Sequence, residues 1–554
     1  MTAGTKKLLS VLLCVILVIA LIPFAFASEL SGSGTKDDPY VIADAGDMNA
    51  LSEAVKNGES FSGKYFLQTA DITLTADYTA VGTEEYPFGG IFDGGSHTLD
   101  GFGIPGNGAP VFGAVKGADV KNIVAYGFFN QGDSNIGAVI NFAENSSVTN
   151  CKTENCELYC FNDNAGGIVA NAVNCNIKNC VSSTEITSYG KNAGGIAGKL
   201  SGAVSGCENT GAIYSFSAAG GITGEAGGVI SSCKNLGDIT AESSVCGGIT
   251  GVTDGTVTNC SNFGDVTSDG NVGGIAGVIN GATVANCYST GTVTSSGTFC
   301  GGIAGFINKG TVSNCYNSGS VSSTADYVGG ICGHSEADLV ACCYSTANVS
   351  ASGSHYGGIA GRDFGVTENC FTLAKTLFGA SYGQTSGDGV LTSEEMKTEE
   401  SFTGWDFDSD WVMDSQHGYD YPVLRSMNYH TLSLTQIVEP TCTKGGFSEY
   451  FCSVCLTSCI MEKTEALGHS NEETSRVEAC CLENGTVFYK CSVCGEESED
   501  ILPATGHADE DGNNHCDICD AVIDESKVPV KKTLIQKIAD FFKKIIDWFR
   551  SLFN

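Results

Sequence analysis

Residues 273–300 read GGIAGVINGATVANCYSTGTVTSSGTFC, and this stretch decides the fold. It holds three short runs of β-type alternation, Ile275–Val278, Thr283–Cys287 and Gly291–Thr294, punctuated by Gly and Asn where the chain must turn. The opening Gly-Gly-Ile recurs at Gly166, Gly194, Gly220, Gly247, Gly273, Gly301, Gly329 and Gly357, in steps of 28, 26, 27, 26, 28, 28 and 28 residues. A cysteine follows each one 13 or 14 residues later, at Cys180, Cys207, Cys233, Cys260, Cys287, Cys315, Cys343 and Cys370. A fixed period of this length marks a stacked solenoid. Three strands per coil predict an all-β, right-handed parallel β-helix, with coils about 4.8 Å apart. Counting the less regular coils from Phe88, about ten coils make a rod on the order of 50 Å long.

The recurring residues have separate physical jobs. Ile168, Ile196, Ile222, Ile249, Ile275, Ile303, Ile331 and Ile359 are expected to stack as an interior apolar column. The glycine pair permits a corner where one coil lies close against the next. The cysteine column is expected to point inward as stacked thiols, because in-register parallel side chains do not readily reach disulfide geometry. Asn150, Asn179, Asn259, Asn286, Asn314 and Asn369 each precede a column cysteine and are expected to form an amide ladder from coil to coil.

These repeats resemble the GLUG-motif proteins, a family of secreted and surface-attached bacterial proteins. The resemblance extends to Gly32–Tyr40, Phe61–Leu67 and Phe88–Gly94, similar to that family's N-terminal cap and first coil, and to Phe402–Phe407, Trp411 and Tyr421–Leu424, similar to its closing segment. It implies a β-helix at the cell surface and no particular activity. Trp405, Phe407 and Trp411 are expected to cover the last coil, whose open edge would otherwise invite aggregation.

The 554-residue chain carries a net charge of −35, which argues against nucleic acid as a partner. Lys6 and Lys7, the apolar run Leu8–Ile22 and Ala25-Phe26-Ala27 read as a signal peptide over 1–27. From Glu439 the composition changes. Cys442, Cys452, Cys455 and His469 are followed by Cys481, Cys491, Cys494 and His507 at nearly the same spacing, with a partial third copy at His515-Cys516-Asp517-Ile518-Cys519. This segment resembles cysteine-rich tandem modules that end surface proteins of Gram-positive anaerobes. Each Cys₃His set suits a tetrahedral structural zinc, while disulfide staples remain the alternative. Leu502–Gly506 spells LPATG, but an acidic stretch rather than an apolar span follows it, so it reads as part of the module. The last segment, VKKTLIQKIADFFKKIIDWFRSLFN, predicts a basic amphipathic helix for a membrane surface or, alternatively, for a protein partner.

The expected organisation is a signal peptide at 1–27, an N-terminal cap at 28–87, the β-helix at 88–375 and its C-terminal cap at 376–429. Tandem cysteine-rich modules follow at 430–525 and an amphipathic helix at 526–554. Asp238 and Asp265, at matching positions of adjacent coils, are the best candidate carboxylate pair for glycoside hydrolysis, but the same slot holds Ala212, Thr292, Ser320 and Asn348 elsewhere, a spread that a polar outward turn position explains well. A lyase would want a basic residue in a groove, and Arg362 is the one arginine between Val111 and Cys370. His97, His334 and His355 lack partners at fixed spacing. The expectation is therefore an exported, non-enzymatic surface protein that binds an extracellular glycan or a surface protein, with a carbohydrate-active enzyme and a self-assembling scaffold as alternatives.

Overall fold

The computed structural model describes residues 30–523 except 105, 107, 243, 325, 374–388, 416–418, 428–431, 453–457 and 511, and leaves the side chains of 427, 432, 452, 459, 461 and 462 undescribed. Segments 1–27 and 526–554, expected as a signal peptide and an amphipathic helix, lie outside the described residues. Within them, no helix is long and apolar enough to cross a membrane. The chain divides into two units, Met1–Tyr429 and His430–Asn554.

The first unit is a right-handed parallel β-helix of about 12 turns. One coil contains five strands rather than the three that alternation predicts: Val272–Gly273, Ala276–Asn280, Thr283–Ala285, Tyr288–Ser289 and Val293–Ser295. Two of these are only two residues long, too short to alternate visibly. Stacking in register builds four faces: a nine-stranded corner face, a 21-stranded face holding two strands per coil, a 13-stranded face and a second nine-stranded face. The parallel ladder already begins at Tyr40–Ile42, which pairs with Tyr65–Gln68 and then Ile91–Asp93, within the segment expected as a cap. Beside it the helix Ala45–Lys56 starts where Asp44 accepts hydrogen bonds from the Gly46 and Asp47 N–H groups. That helix buries Met48, Leu51 and Val55 against the core.

The interior follows the period. The isoleucine column is buried. The column cysteines are buried free thiols, their Sγ–H groups directed at carbonyls such as Ala285 O, 3.2 Å from Cys287. Cys246 and Cys300 occupy one inward position in register with Val272 and Val328, where a thiol substitutes for a small hydrophobe. The glycine pair is required by contact: a Cβ on Gly274 would lie 2.1 Å from Gly302 O.

Two expectations change. Asn150, Asn179, Asn259, Asn286, Asn314 and Asn369 adopt left-handed backbone, φ 51–55°, so their main work is to turn the corner before each cysteine. The continuous amide ladder lies elsewhere, inside the next bend. Asn209 Nδ2 donates to Asn235 Oδ1 and Asn235 Nδ2 to Asn262 Oδ1, each at 2.8 Å, while each Nδ2 also reaches a carbonyl two residues on. The closing segment also differs. Trp405 and Trp411 pack against the flank of the rod, on Tyr316, Tyr344 and Phe371 from three successive coils. Trp405 Nε1 donates to Asn369 O at 2.7 Å, and Tyr344 Oη donates to Pro422 O at 2.8 Å. The outward tyrosine ladder Tyr288–Tyr316–Tyr344, stacked at 4.8 and 5.1 Å, supplies the apolar strip that this segment buries.

The second unit holds two three-stranded antiparallel meanders, Leu432–Val438, Gly446–Cys452, Ser458–Thr464 and Asn471–Val477, Gly485–Cys491, Glu497–Leu502. In the second meander Val487 is the only buried aliphatic side chain among the described residues, the other buried apolar groups being cysteines. A module with so little core needs a staple.

Candidate metal centres and a longitudinal groove

In each meander the middle strand runs back to where the first began. Cys491, at the end of its strand, is in register with Asn471, two residues after His469. Cys481 lies in the turn at the opposite end, where the Gly506 N–H bonds its carbonyl at 3.1 Å. A strand of seven residues separates the ends by about 20 Å. A Cys481, Cys491, Cys494, His507 set therefore cannot close on one ion. The structure instead gathers Cys442, His469, Cys491 and Cys494, and separately Cys481, His507, Cys516 and Cys519, with all ligand atoms of a group within 4.8 Å of one another. The first cysteine and the histidine of one module meet the Cys-x-x-Cys turn of the next. Of the spacing-based first set, Cys442 and His469 come together. Cys455 and the Cys452 side chain lie outside the described residues.

The donor atoms suit a metal cation. Cys442 Sγ is 3.7 Å from Cys491 Sγ, and Cys494 Sγ is 3.3 Å from His469 Nδ1. In the second cluster Cys481 Sγ is 3.4 Å from Cys516 Sγ, and Cys519 Sγ is 3.4 Å from His507 Nδ1. The other nitrogen of His469, Nε2, faces Glu496 at 3.4 Å, the outer carboxylate that orients a ligating imidazole. The N–H groups of Cys494 and Val493, with His469, draw the Cys491 thiol down to about 5. Burial works against the same change at Cys516, but His507 and the N–H groups of Ile518 and Cys519 still bring it to about 5. Burial, then the neighbouring thiols, push Cys442 and Cys481 up to about 12. A bound cation would relieve that opposition by holding all the sulfurs as thiolates.

On the rod, the candidate carboxylates serve the backbone. Asp238 Oδ1 accepts from the Asp265 N–H at 2.9 Å, and Asp265 Oδ1 from the Thr292 N–H at 2.7 Å. They cap successive coils, as turn residues do.

A different feature stands out on the surface, at the bend that follows the second nine-stranded face. Phe161, Tyr189 and Phe216 are in register from coil to coil and 44%, 49% and 39% exposed. Phe161 and Tyr189 stack at 6.2 Å between ring centroids, and Tyr189 and Phe216 lie 5.2 Å apart. Beside this ladder runs a polar groove of about 450 Å³, lined by Asp163, Asn164, Asn171, Lys191, Asn192, Lys199 and Glu225. Lys191 bridges to Asp163 at 2.7 Å and Lys199 to Glu225 at 2.8 Å. Asn192 donates to Asn164 at 2.9 Å and to Glu225 at 3.0 Å.

The position that Asn171, Lys199 and Glu225 hold in the groove continues in register along the rod, as Phe142 before them and Val252, Val278, Phe306, His334 and Arg362 after them. Over eight coil steps it spans about 38 Å. His334 and His355, without visible partners in the sequence, face Glu336 at 3.3 Å and Asp326 at 3.5 Å.

No family model and no curated protein matches this chain. A solved structure named "putative immunoglobulin A1 protease from Bacteroides ovatus" aligns at 20% identity over 71% of this chain and 94% of that one. Its TM-score of 0.25 is too low to carry either fold or activity across.

Proposed function

We propose that this is an exported surface protein whose β-helix binds an extended glycan along the groove, without altering it. The observation that carries the reading is the exposed ladder Phe161–Tyr189–Phe216 beside a lip of amides, carboxylates and lysines. Sugars present apolar C–H faces and hydroxyl edges, so a binding site for them combines flat aromatic surface with fixed hydrogen-bonding groups. The coil repeat of about 4.8 Å is comparable with the advance of one sugar ring along an extended chain. The engagement of Asp238 and Asp265 with backbone N–H groups favours binding over hydrolysis.

Zinc suits the Cys₃His clusters best, because three thiolates and one imidazole at tetrahedral reach are its preferred structural set. There it would weld successive modules into a stiff spacer. The basic segment 526–554, expected from its sequence as an amphipathic helix, would hold the protein at the membrane surface, and the resemblance to GLUG-motif proteins agrees with a surface location. The test is retention on a panel of bacterial and host polysaccharides. The triple variant F161A/Y189A/F216A is expected to lose retention with its circular dichroism unchanged. Equal retention by the variant, or release of new chain ends by the wild type, would refute the reading.

A further inference from the structure

Beyond Val278, the last coils of the rod carry different chemistry at the same register position. The Arg362 guanidinium lies 4.2 Å from the ring centroid of Phe364 and 5.5 Å from that of Tyr327. Phe364 is 64% exposed. Arginine stacked in this way keeps its N–H edges free for a planar oxyanion. Among the described residues no carboxylate forms an ion pair with Arg362, and the nearby acids have other partners. Asp326 accepts from the Ser354 N–H at 2.6 Å, Asp363 from the Gly365 N–H at 2.9 Å and the Thr367 hydroxyl at 2.6 Å, and Glu336 faces His334.

A second, independent observation lies beneath it. His334 is 5% exposed and boxed by Phe299, Phe306 and Phe364, with ring centroids 4.9, 5.3 and 5.7 Å away. Its Nδ1 is buried without a hydrogen-bond partner, a cost that native cores rarely carry. Tyr327, which helps hold Arg362, adopts φ 64°, an uncommon conformation for a bulky side chain and one that tends to mark functional sites.

We propose that Arg362, framed by Tyr327 and Phe364 over the buried His334, forms a subsite for an acidic sugar, one carrying a carboxylate or a sulfate ester. The proposal rests on the glycan reading above. The oxyanion pairs with the Arg362 fork, while the sugar face lies on Phe364. The register column through Val252 and Val278 runs from this subsite back to Glu225 beside the ladder, so one acidic polysaccharide lying along it would reach both.

The experiment measures binding of polygalacturonate, dextran sulfate and neutral dextran to the full chain by calorimetry. The polygalacturonate and dextran sulfate arms distinguish carboxylate from sulfate ester. The wild type is expected to bind one acidic polymer at least about tenfold more tightly than dextran, the scale of one charge-assisted contact. R362Q should abolish that preference, and R362K should recover only part of it, since lysine keeps the charge without the fork. Acidic polymers bound no tighter than dextran, or bound equally by wild type and R362Q, would overturn the subsite. The ladder variant F161A/Y189A/F216A separates the two claims. Lost binding there with R362Q unchanged removes the subsite and leaves the glycan reading. Unchanged binding there with selectivity lost in R362Q leaves the oxyanion subsite and removes the ladder.

Discussion

Replacing both Cys516 and Cys519 with serine tests the linkage between modules. In the structure these two cysteines complete the cluster of Cys481 and His507, so C516S/C519S leaves that site two of its four ligands. A structural zinc site of this type contributes about 10–16 kcal/mol of apparent binding free energy. Losing half the ligands on that scale leaves about 5–8 kcal/mol, a dissociation constant of about 1 μM to 0.2 mM. An ion held so weakly is removed by gel filtration against a mild chelator, whereas the intact cluster of Cys442, His469, Cys491 and Cys494 keeps its own. Elemental analysis should therefore find about one zinc equivalent fewer in the variant than in the wild type. Hydrogen exchange should accelerate around Cys481 and Thr505–Gly506, whose backbone the cluster anchors. C491S/C494S should also cost one equivalent, but with faster exchange around Cys442 and Gly468. If C516S/C519S retained its full zinc, the cross-module assignment would be wrong.

Two substitutions probe the rod. Asn235→Ala removes two donated hydrogen bonds and one accepted bond from a fully buried ladder, and leaves Gly237 O and Asn262 Oδ1 without that donor. The expected cost is about 3–5 kcal/mol, read as lost hydrogen-exchange protection in the coils around residues 209–264. Gly274→Ala places a methyl 2.1 Å from Gly302 O and 2.5 Å from Ser289 Oγ. Overpacking should cost about 1–3 kcal/mol or more, seen as a lower denaturant midpoint, while an alanine at exposed Gly281, where a Cβ meets nothing within 4 Å, tests the left-handed backbone alone.

The solenoid was legible because each coil repeats the same contacts. Gly-Gly-Ile, the column cysteine and the strand alternation all state one local geometry many times. Features that depend on how the chain returns through space were less visible. The Cys₃His sets have the right composition, yet spacing alone assigns Cys491 and Cys494 to His507. Only the meander, which brings the end of its second strand back to the start of its first, moves them to His469. One signal for this did exist: the partial third copy supplies Cys516 and Cys519 without an upstream cysteine of its own, as a donor to the preceding module would. The tryptophans of the closing segment were readable as a cover. Their resting place depends on the ladder Tyr288–Tyr316–Tyr344, an outward strip that a buried-face pattern does not announce. The groove was hidden for the opposite reason. Its lining changes chemistry at every coil, from Asn171 through Lys199 to Glu225, and the same column goes on to His334 and Arg362, so no repeating residue marks it.

Hydroxyl-radical footprinting with and without the best-retained oligosaccharide tests the central claim, that the groove is the binding surface. Bound glycan is expected to protect Phe161, Tyr189 and Phe216 together, and Phe364 if the chain is acidic, while Tyr86 and Phe102, 43% and 62% exposed outside the groove, stay fully reactive. Protection of Tyr86 and Phe102 in place of the ladder, or no change at the ladder when the glycan is bound, would contradict the account.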